Sequence, residues 1–104
     1  MGKNSDRESL IRLIVNTVVH EIVLDRTNKP ESKNFLASEV IEYRSQTEKT
    51  AKKHHWNIDD KALIEQKAQT KVKERLVLKY SDISYQEQDI INKLNLIINK
   101  FLLL

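Results

Sequence analysis

Two histidines and two aspartates lie close together in the segment Ala51–Ala62, where they could bind a metal ion. They form two adjacent pairs, His54 with His55 and Asp59 with Asp60. Neighbouring side chains on a helix point about 100° apart, so the two histidines cannot readily share one ion. A zinc site also needs three or four ligands in fixed geometry, and the chain has no second histidine pair at metal-binding spacing. We therefore interpret the segment as a turn between two helices, where the positive charge of a protonated histidine would favour the end of the preceding helix.

The only tryptophan, Trp56, lies in the same turn and has two interpretations. An exposed ring could stack on a nucleic-acid base, whereas a buried ring would close the open end of a helical core. Apart from Ile58, Trp56 is the only large apolar residue between Tyr43 and Leu63. Because little else could cover that end, we favour a buried Trp56.

Other catalytic motifs are incomplete or missing. His20 and Glu21 begin the H-E-x-x-H zinc motif, but Leu24 occupies the position of its second histidine. The chain has no Cys and one Gly, which excludes thiolate sites and a Gly-rich phosphate loop. We therefore assign no catalytic, cofactor-binding or metal-binding residue, and the sequence favours a non-enzymatic role, although missing motifs do not exclude an enzyme.

Basic residues are concentrated between Arg44 and Lys79, which makes nucleic-acid binding the alternative function. This range has ten Lys or Arg and five Asp or Glu, a net charge of +5, whereas the whole chain carries only +3. Lysines that neutralise phosphates give an affinity that falls with salt. The candidate contacts are Lys49, Lys52, Lys53, Trp56, Lys61, Lys67 and Lys71. Interleaved glutamates and the small net charge favour an ordinary solvated surface instead.

The composition favours long helices. Among 104 residues there is one Gly and one Pro, the residues that mark β-hairpins and loops. The length fits one domain, 1–104. Charged residues interrupt every apolar run that a secretory signal or a membrane span would need, and the lack of Cys fits an intracellular location, cytoplasmic or nuclear. We predict an all-α antiparallel bundle of about four helices with short connections, without a cofactor or membrane contact.

Capping patterns and apolar spacing divide the chain into these helices. The predicted boundaries are a first helix starting at a Ser5–Glu8 capping box, a second from about Pro30 to about His54, a third capped by Asp59 or Asp60, and a fourth starting at a Ser84–Glu87 capping box. The second and third helices are predicted to form an antiparallel hairpin that pairs Ala51 with Ile64, Thr47 with Ala68, and Tyr43 with Val72.

The first helix combines a wide apolar circumference with one polar stripe. A helix that is apolar over so much of its surface is usually buried on more than one side. Arg12, Asn16 and His20 follow one another at i, i+4 spacing. They could line a small polar pocket or a hydrogen-bonded seam between helices, and we favour the seam because buried polar groups are normally satisfied locally.

The first and fourth helices have apolar faces wider than one bundle core needs, and the sequence ends in Phe101 followed by three leucines. Exposed contiguous apolar patches usually bind partners, and two-fold pairing is the commonest solution. We therefore predict a helical interaction module that forms a dimer or joins another helical protein. The candidate interface residues are Leu10, Leu13, Val23, Leu24, Ile90, Ile97 and Leu102. The alternatives are that one chain covers both faces itself, or that the sequence stops inside a longer helix.

Overall fold

Helices make up the architecture of the chain. The computed structural model describes residues 2–27 and 29–102, and within these ranges it contains α1 (Lys3–Arg26), α2 (Pro30–Ala51), α3 (Ile58–Lys79) and α4 (Glu87–Phe101). The same ranges contain no strand. The predicted all-α bundle of about four helices is therefore confirmed, and so is the placement of Pro30 in the first turn of α2.

α1 lies at the centre and packs against each of the other three helices. Its side chains Leu10, Ile14, Val18 and Ile22 are at most 1% exposed. Fully burying one such side chain contributes ~1.5–3 kcal/mol. The predicted burial of this helix on more than one side is confirmed.

Contacts between side chains show the directions of the helices. They are Asp6–His54 and Glu21–Arg44 for α1 with α2, Glu8–Lys67 and Asn16–Arg75 for α1 with α3, and Arg26–Asp89 and Glu21–Lys93 for α1 with α4. α1 is thus antiparallel to α2 and α4 and parallel to α3. Each helix runs opposite to the one before it in the sequence, as an antiparallel bundle requires.

The predicted hairpin of the second and third helices is wrong. Among the described residues, α2 and α3 make no helix–helix contact, so Ala51 does not pair with Ile64 or Thr47 with Ala68. Both helices pack on α1 instead. The physical reason is that α1 is apolar around most of its circumference and can bury that surface only by lying between α2 and α3. The segment between Ala51 and Ile58 therefore crosses the end of the bundle where α1 begins.

Three predicted helix starts and one predicted end are displaced. α1 begins at Lys3, so Ser5 lies inside the helix and does not form a capping box. α2 ends at Ala51 rather than near His54. α3 is capped by Asn57, whose side chain accepts the N–H of Asp60 at 2.8 Å while Asp60 accepts the N–H of Asn57.

α4 starts later than the predicted Ser84–Glu87 box. Its first residue is Glu87, and the carboxylate of Asp89 accepts the backbone N–H of Gln86 at 3.0 Å. Several acidic residues lie near this start, and from the sequence alone each could accept a hydrogen bond from a nearby backbone N–H equally well. Packing of Ile90 and Leu94 in the core selects the register that is observed.

α3 buries a narrow apolar ladder at i, i+4 spacing, as its sequence predicts, and the half-buried Tyr80 follows directly after the helix. Ile64, Ala68, Val72 and Leu76 are all 0% exposed, and they form its contact with the core. The ladder occupies one strip of the helix only. Leu78 is consequently 81% exposed and Val77 63% exposed.

Candidate functional site

Trp56 is part of the core, 3% exposed, and its burial confirms the structural interpretation. The indole Nε1–H donates to the carbonyl oxygen of Ala51 at 2.8 Å, which satisfies one of the free carbonyls at the end of α2. The ring of His54 meets the indole edge-on at 5.5 Å between centroids. A ring held in this way cannot stack on a base, so Trp56 is withdrawn as a nucleic-acid contact.

One residue of each pair in the turn, His54 and Asp60, contacts the start of α1, whereas His55 and Asp59 are exposed. His54 Nε2 lies 2.5 Å from Asp6 Oδ2, and this hydrogen bond lowers the pKa of Asp6. Asp60, 8% exposed, lies 2.8 Å from Lys3 Nζ and 3.4 Å from Arg7 Nη1. The bond from Lys3 is the main reason that the pKa of Asp60 lies below its ordinary value. Among residues 2–27 and 29–102, no group of three His, Cys, Asp or Glu side chains is placed to hold a metal ion.

The candidate interface residues are mostly inside the chain. Leu10 and Ile90 are 0% exposed, Ile97 and Leu102 2%, and Val23 4%. Leu13 and Leu24 are half-buried. The wide apolar faces of α1 and α4 are therefore largely buried within one chain, where α1 packs against three helices. These residues do not form a free surface, and Leu103 and Leu104 lie outside the described residues.

The candidate lysine contacts do not form one basic surface. Lys49, Lys52 and Lys53 are exposed at the end of α2, whereas Lys67 and Lys71 belong to α3. Lys61, near the start of α3, is half-buried. The predicted surface depended on the α2–α3 hairpin, and it is divided because the two helices lie on different sides of α1. Lys52 and Lys67 also face carboxylates, Glu48 at 3.0 Å and Glu8 at 3.4 Å.

The polar stripe of α1 borders both neighbouring helices. His20 Nδ1 lies 2.7 Å from the carbonyl oxygen of Asn16, and its ring lies 5.2 Å from that of Tyr43 on α2. The side-chain oxygen of Asn16 accepts a hydrogen bond from Arg75 on α3. Arg12 is exposed. The stripe thus has α2 along one edge and α3 along the other.

A charge network around the buried Glu21 joins α1, α2 and α4, and it was not predicted from the sequence. Glu21 is 8% exposed and accepts from Arg44 Nε at 3.0 Å and Nη2 at 2.8 Å. Lys93 Nζ lies 3.5 Å from Glu21 and 2.8 Å from Asp25. Burial, the largest influence, lowers the pKa of Lys93, but the two carboxylates outweigh it and raise that pKa above 10.5. The available signal was Glu21 itself, a charged residue within a run of buried aliphatic residues.

A groove with a volume of about 420 Å³ lies between α1 and α3. Its walls are Glu8, Ile11, Arg12, Val15, Lys71, Glu74, Arg75, Leu78 and Lys79. A hollow of about 440 Å³ shares Glu8, Lys71 and Glu74 with it and extends along α3 to Leu63. We call the two together the α1–α3 groove.

The α1–α3 groove combines apolar and cationic groups. Ile11 and Val15 lie at its base, and the exposed Leu78 stands at its side. Within the described residues, Arg12, Lys71 and Lys79 have no carboxylate within 4.0 Å. Two carboxylates, Glu8 and Glu74, also line the groove, but its lysines and arginines outnumber them. The groove therefore offers apolar contact beside an excess of positive charge. No histidine or thiol lines the groove, and its one hydroxyl, that of Thr70, donates to the carbonyl oxygen of Gln66 at 3.2 Å.

Comparison with known protein families, with curated proteins and with solved structures finds no match to this chain. Across the described ranges, the helices lack the combination of length and apolarity that crossing a bilayer requires. The geometry of the chain is therefore the basis for a functional proposal.

Proposed function

We propose that this chain is a helical protein–protein interaction module that binds its partner along the α1–α3 groove. The observation that carries the proposal is Leu78, a large apolar side chain that is 81% exposed at the edge of the groove. Large apolar side chains beside a groove are typical of helix-in-groove recognition, where apolar anchors from one helix enter the depression of another.

The chemistry of the groove favours binding over catalysis. Catalysis needs an acid, base or electrophile held near a reacting atom. The charged groups of the groove stand around an apolar base instead, and Arg75 is engaged with Asn16. A polar, charged rim around an apolar centre is the usual anatomy of a protein interface.

Site-specific photo-crosslinking in cells tests the proposal. A photoreactive residue in place of Leu78 should couple the chain to a defined polypeptide. The same residue in place of Val77 is a matched control, because Val77 is also exposed but does not line the groove. Absence of a protein adduct at position 78, or equal adducts at both positions, would count against the proposal.

The α1–α3 groove also bears on the alternative, nucleic-acid binding. Arg12, Lys71 and Lys79 could contact phosphates, although the buried Trp56 supplies no stacking platform. A labelled single-stranded DNA or RNA should not bind the chain measurably at low salt. If the nucleic acid did bind, and if salt reversed the binding and Lys71→Glu abolished it, the groove would support nucleic-acid binding instead.

A further inference from the structure

The outer side of α2 carries an acidic row with one aromatic residue. Glu31, Phe35, Glu39 and Glu42 follow one another at spacings of four, four and three, so they share one face of the helix. Phe35 is 64% exposed, Glu31 and Glu42 are exposed, and Glu39 is half-buried. Within the described residues, none of the three glutamates has a cation within 4.0 Å. We call these residues the α2 acidic row.

The acidic row is opposite in charge to the α1–α3 groove and short enough to fit within its length. Helical rise places Leu63 about 24 Å from Lys79 along the groove. The row from Glu31 to Glu42 is about 16 Å long, so the whole row of another chain's α2 fits within the length of the groove. The row offers three carboxylates and a phenyl ring. The groove offers the exposed Leu78 and the unpaired cations Arg12, Lys71 and Lys79, which outnumber its two carboxylates, Glu8, already paired with Lys67, and Glu74.

The row and the groove of one chain cannot meet each other. The row is on α2, which contacts one edge of the α1 polar stripe through Tyr43. The groove lies on the side of α3, where Arg75 contacts the other edge of the stripe. The row also lies where α1 ends, because α2 is antiparallel to α1, whereas the groove uses α1 residues 8–15. A complementary pair held apart within one chain can be joined only between chains.

We propose that the occupant of the α1–α3 groove is the α2 acidic row of a second copy of this chain. The proposal rests on the proposed function and names the partner. Phe35 of one copy packs on the exposed Leu78 of the next, above the buried Ile11 and Val15, while Glu31, Glu39 and Glu42 face the groove cations. After one such contact, the copy that supplied its row still has a free groove, and the copy that supplied its groove still has a free row. The interface is therefore heterologous and builds a ring or an open chain of subunits.

Light scattering of the purified full chain tests the proposal. Mass should rise with protein concentration at low salt, and added salt should reduce it, because exposed charge pairs are screened. Phe35→Asp and Leu78→Asp should each raise the dissociation constant for self-association about tenfold or more, as loss of an interface anchor does. The exposed residues Ile41 and Val77 lie off the two surfaces and supply matched controls, Ile41→Asp and Val77→Asp, that should leave the mass unchanged.

Mixing the two defective variants gives a sharper result. Phe35→Asp retains a normal groove and Leu78→Asp retains a normal row. Together they should form a complex of one copy each that grows no further, because the remaining row and groove both carry an added aspartate. In a single chain, Glu42→Lys combined with Lys71→Glu should restore the self-association that either change alone reduces.

Three outcomes would overturn the inference. They are a monomeric mass at every concentration and salt, self-association that neither anchor variant weakens, and a mixture that stays monomeric although each variant retains the wild-type melting curve. If the crosslink from position 78 then reaches a different polypeptide, the proposed function stands and only this occupant is wrong. If no polypeptide is reached, both fail.

Discussion

Trp56 closes the end of the core where α2 offers only small or polar side chains. The indole is buried and bonded to Ala51. We expect Trp56→Ala to lower the free energy of unfolding by about 3–5 kcal/mol, the usual cost of truncating a buried aromatic. Trp56→Phe keeps most of the packing and loses the hydrogen bond, so it should cost less than Trp56→Ala. Urea unfolding measures both, and equal losses would contradict this account of the ring.

Glu21 depends on Arg44 because it is a nearly buried carboxylate. Arg44→Leu removes two of its hydrogen bonds and should cost about 1–3 kcal/mol. The double variant Glu21→Leu with Arg44→Leu should cost less than the sum of the two single variants. Each single variant leaves the other partner's charge unpaired, whereas the double variant removes both charges. Denaturant unfolding of the four proteins gives the coupling energy. Strict additivity would mean that the pair contributes nothing.

Asp60 should make part of the stability depend on acid. Its pKa is lowered from 3.8, chiefly by the hydrogen bond from Lys3. A depressed carboxyl pKa stabilises the folded state above the unfolded value, and that stability is lost as the pH falls through the folded value. Asp60→Asn cannot titrate, so its urea midpoint should fall less than that of the wild type between pH about 5 and about 2. Parallel declines of the two proteins would contradict the assignment.

At the scale of the element, α3 shows which features periodicity can predict. The i, i+4 ladder of Ile64, Ala68, Val72 and Leu76 was readable because no other strip of the helix is continuously apolar. Helix ends were less readable. Ser5, Asn57 and Gln86 all lie near polar groups that could cap a helix, and tertiary packing decides among them.

Two valines of α3 allow a matched test of its buried face. Val72 is 0% exposed and Val77 63% exposed, and both can be changed to Asp. Burying an unpaired carboxylate costs several kcal/mol against a total stability of roughly 5–15 kcal/mol. Val72→Asp should therefore unfold the protein, whereas Val77→Asp should melt like the wild type. Coincident thermal melts would show that the ladder does not face the core.

At the scale of the whole molecule, the helix count followed from the sequence but the packing order did not. Apolar spacing identifies the face that each helix buries, yet it does not say which helix covers it. The α2–α3 hairpin was predicted from adjacency in sequence, and the surplus apolar surface of α1 was assigned to a partner protein. One arrangement, α1 between α2 and α3, replaces the predicted hairpin and buries most of the apolar surface of α1 within the chain.

The candidate site was also beyond the sequence for a physical reason. The α1–α3 groove forms between helices that run parallel and are separated by α2 in the chain. Its cations come from both helices and were individually ordinary in the sequence. Only the packing brings Arg12 near Lys71 and leaves Leu78 exposed beside them.

The central position of α1 predicts unequal local stability. Amides of α1 between Leu10 and Val23 should exchange with solvent only through global unfolding, because three helices cover them. Amides near the start of α2 should exchange sooner, since few of its residues are buried there. Native-state hydrogen exchange monitored by NMR tests this order. Equal protection of the two helices would contradict the central role of α1.

The central helix is also the first of the four to leave the ribosome during synthesis. α1 emerges with nearly its whole circumference apolar, and its last covering helix, α4, ends at Phe101. Until then the nascent chain carries exposed hydrophobic surface, the condition under which growing chains aggregate or recruit chaperones. A chain with the order of α1 and α4 exchanged would expose a shorter apolar segment at that stage. During translation, the helix that becomes most buried in the folded protein is thus the one most exposed to aggregation.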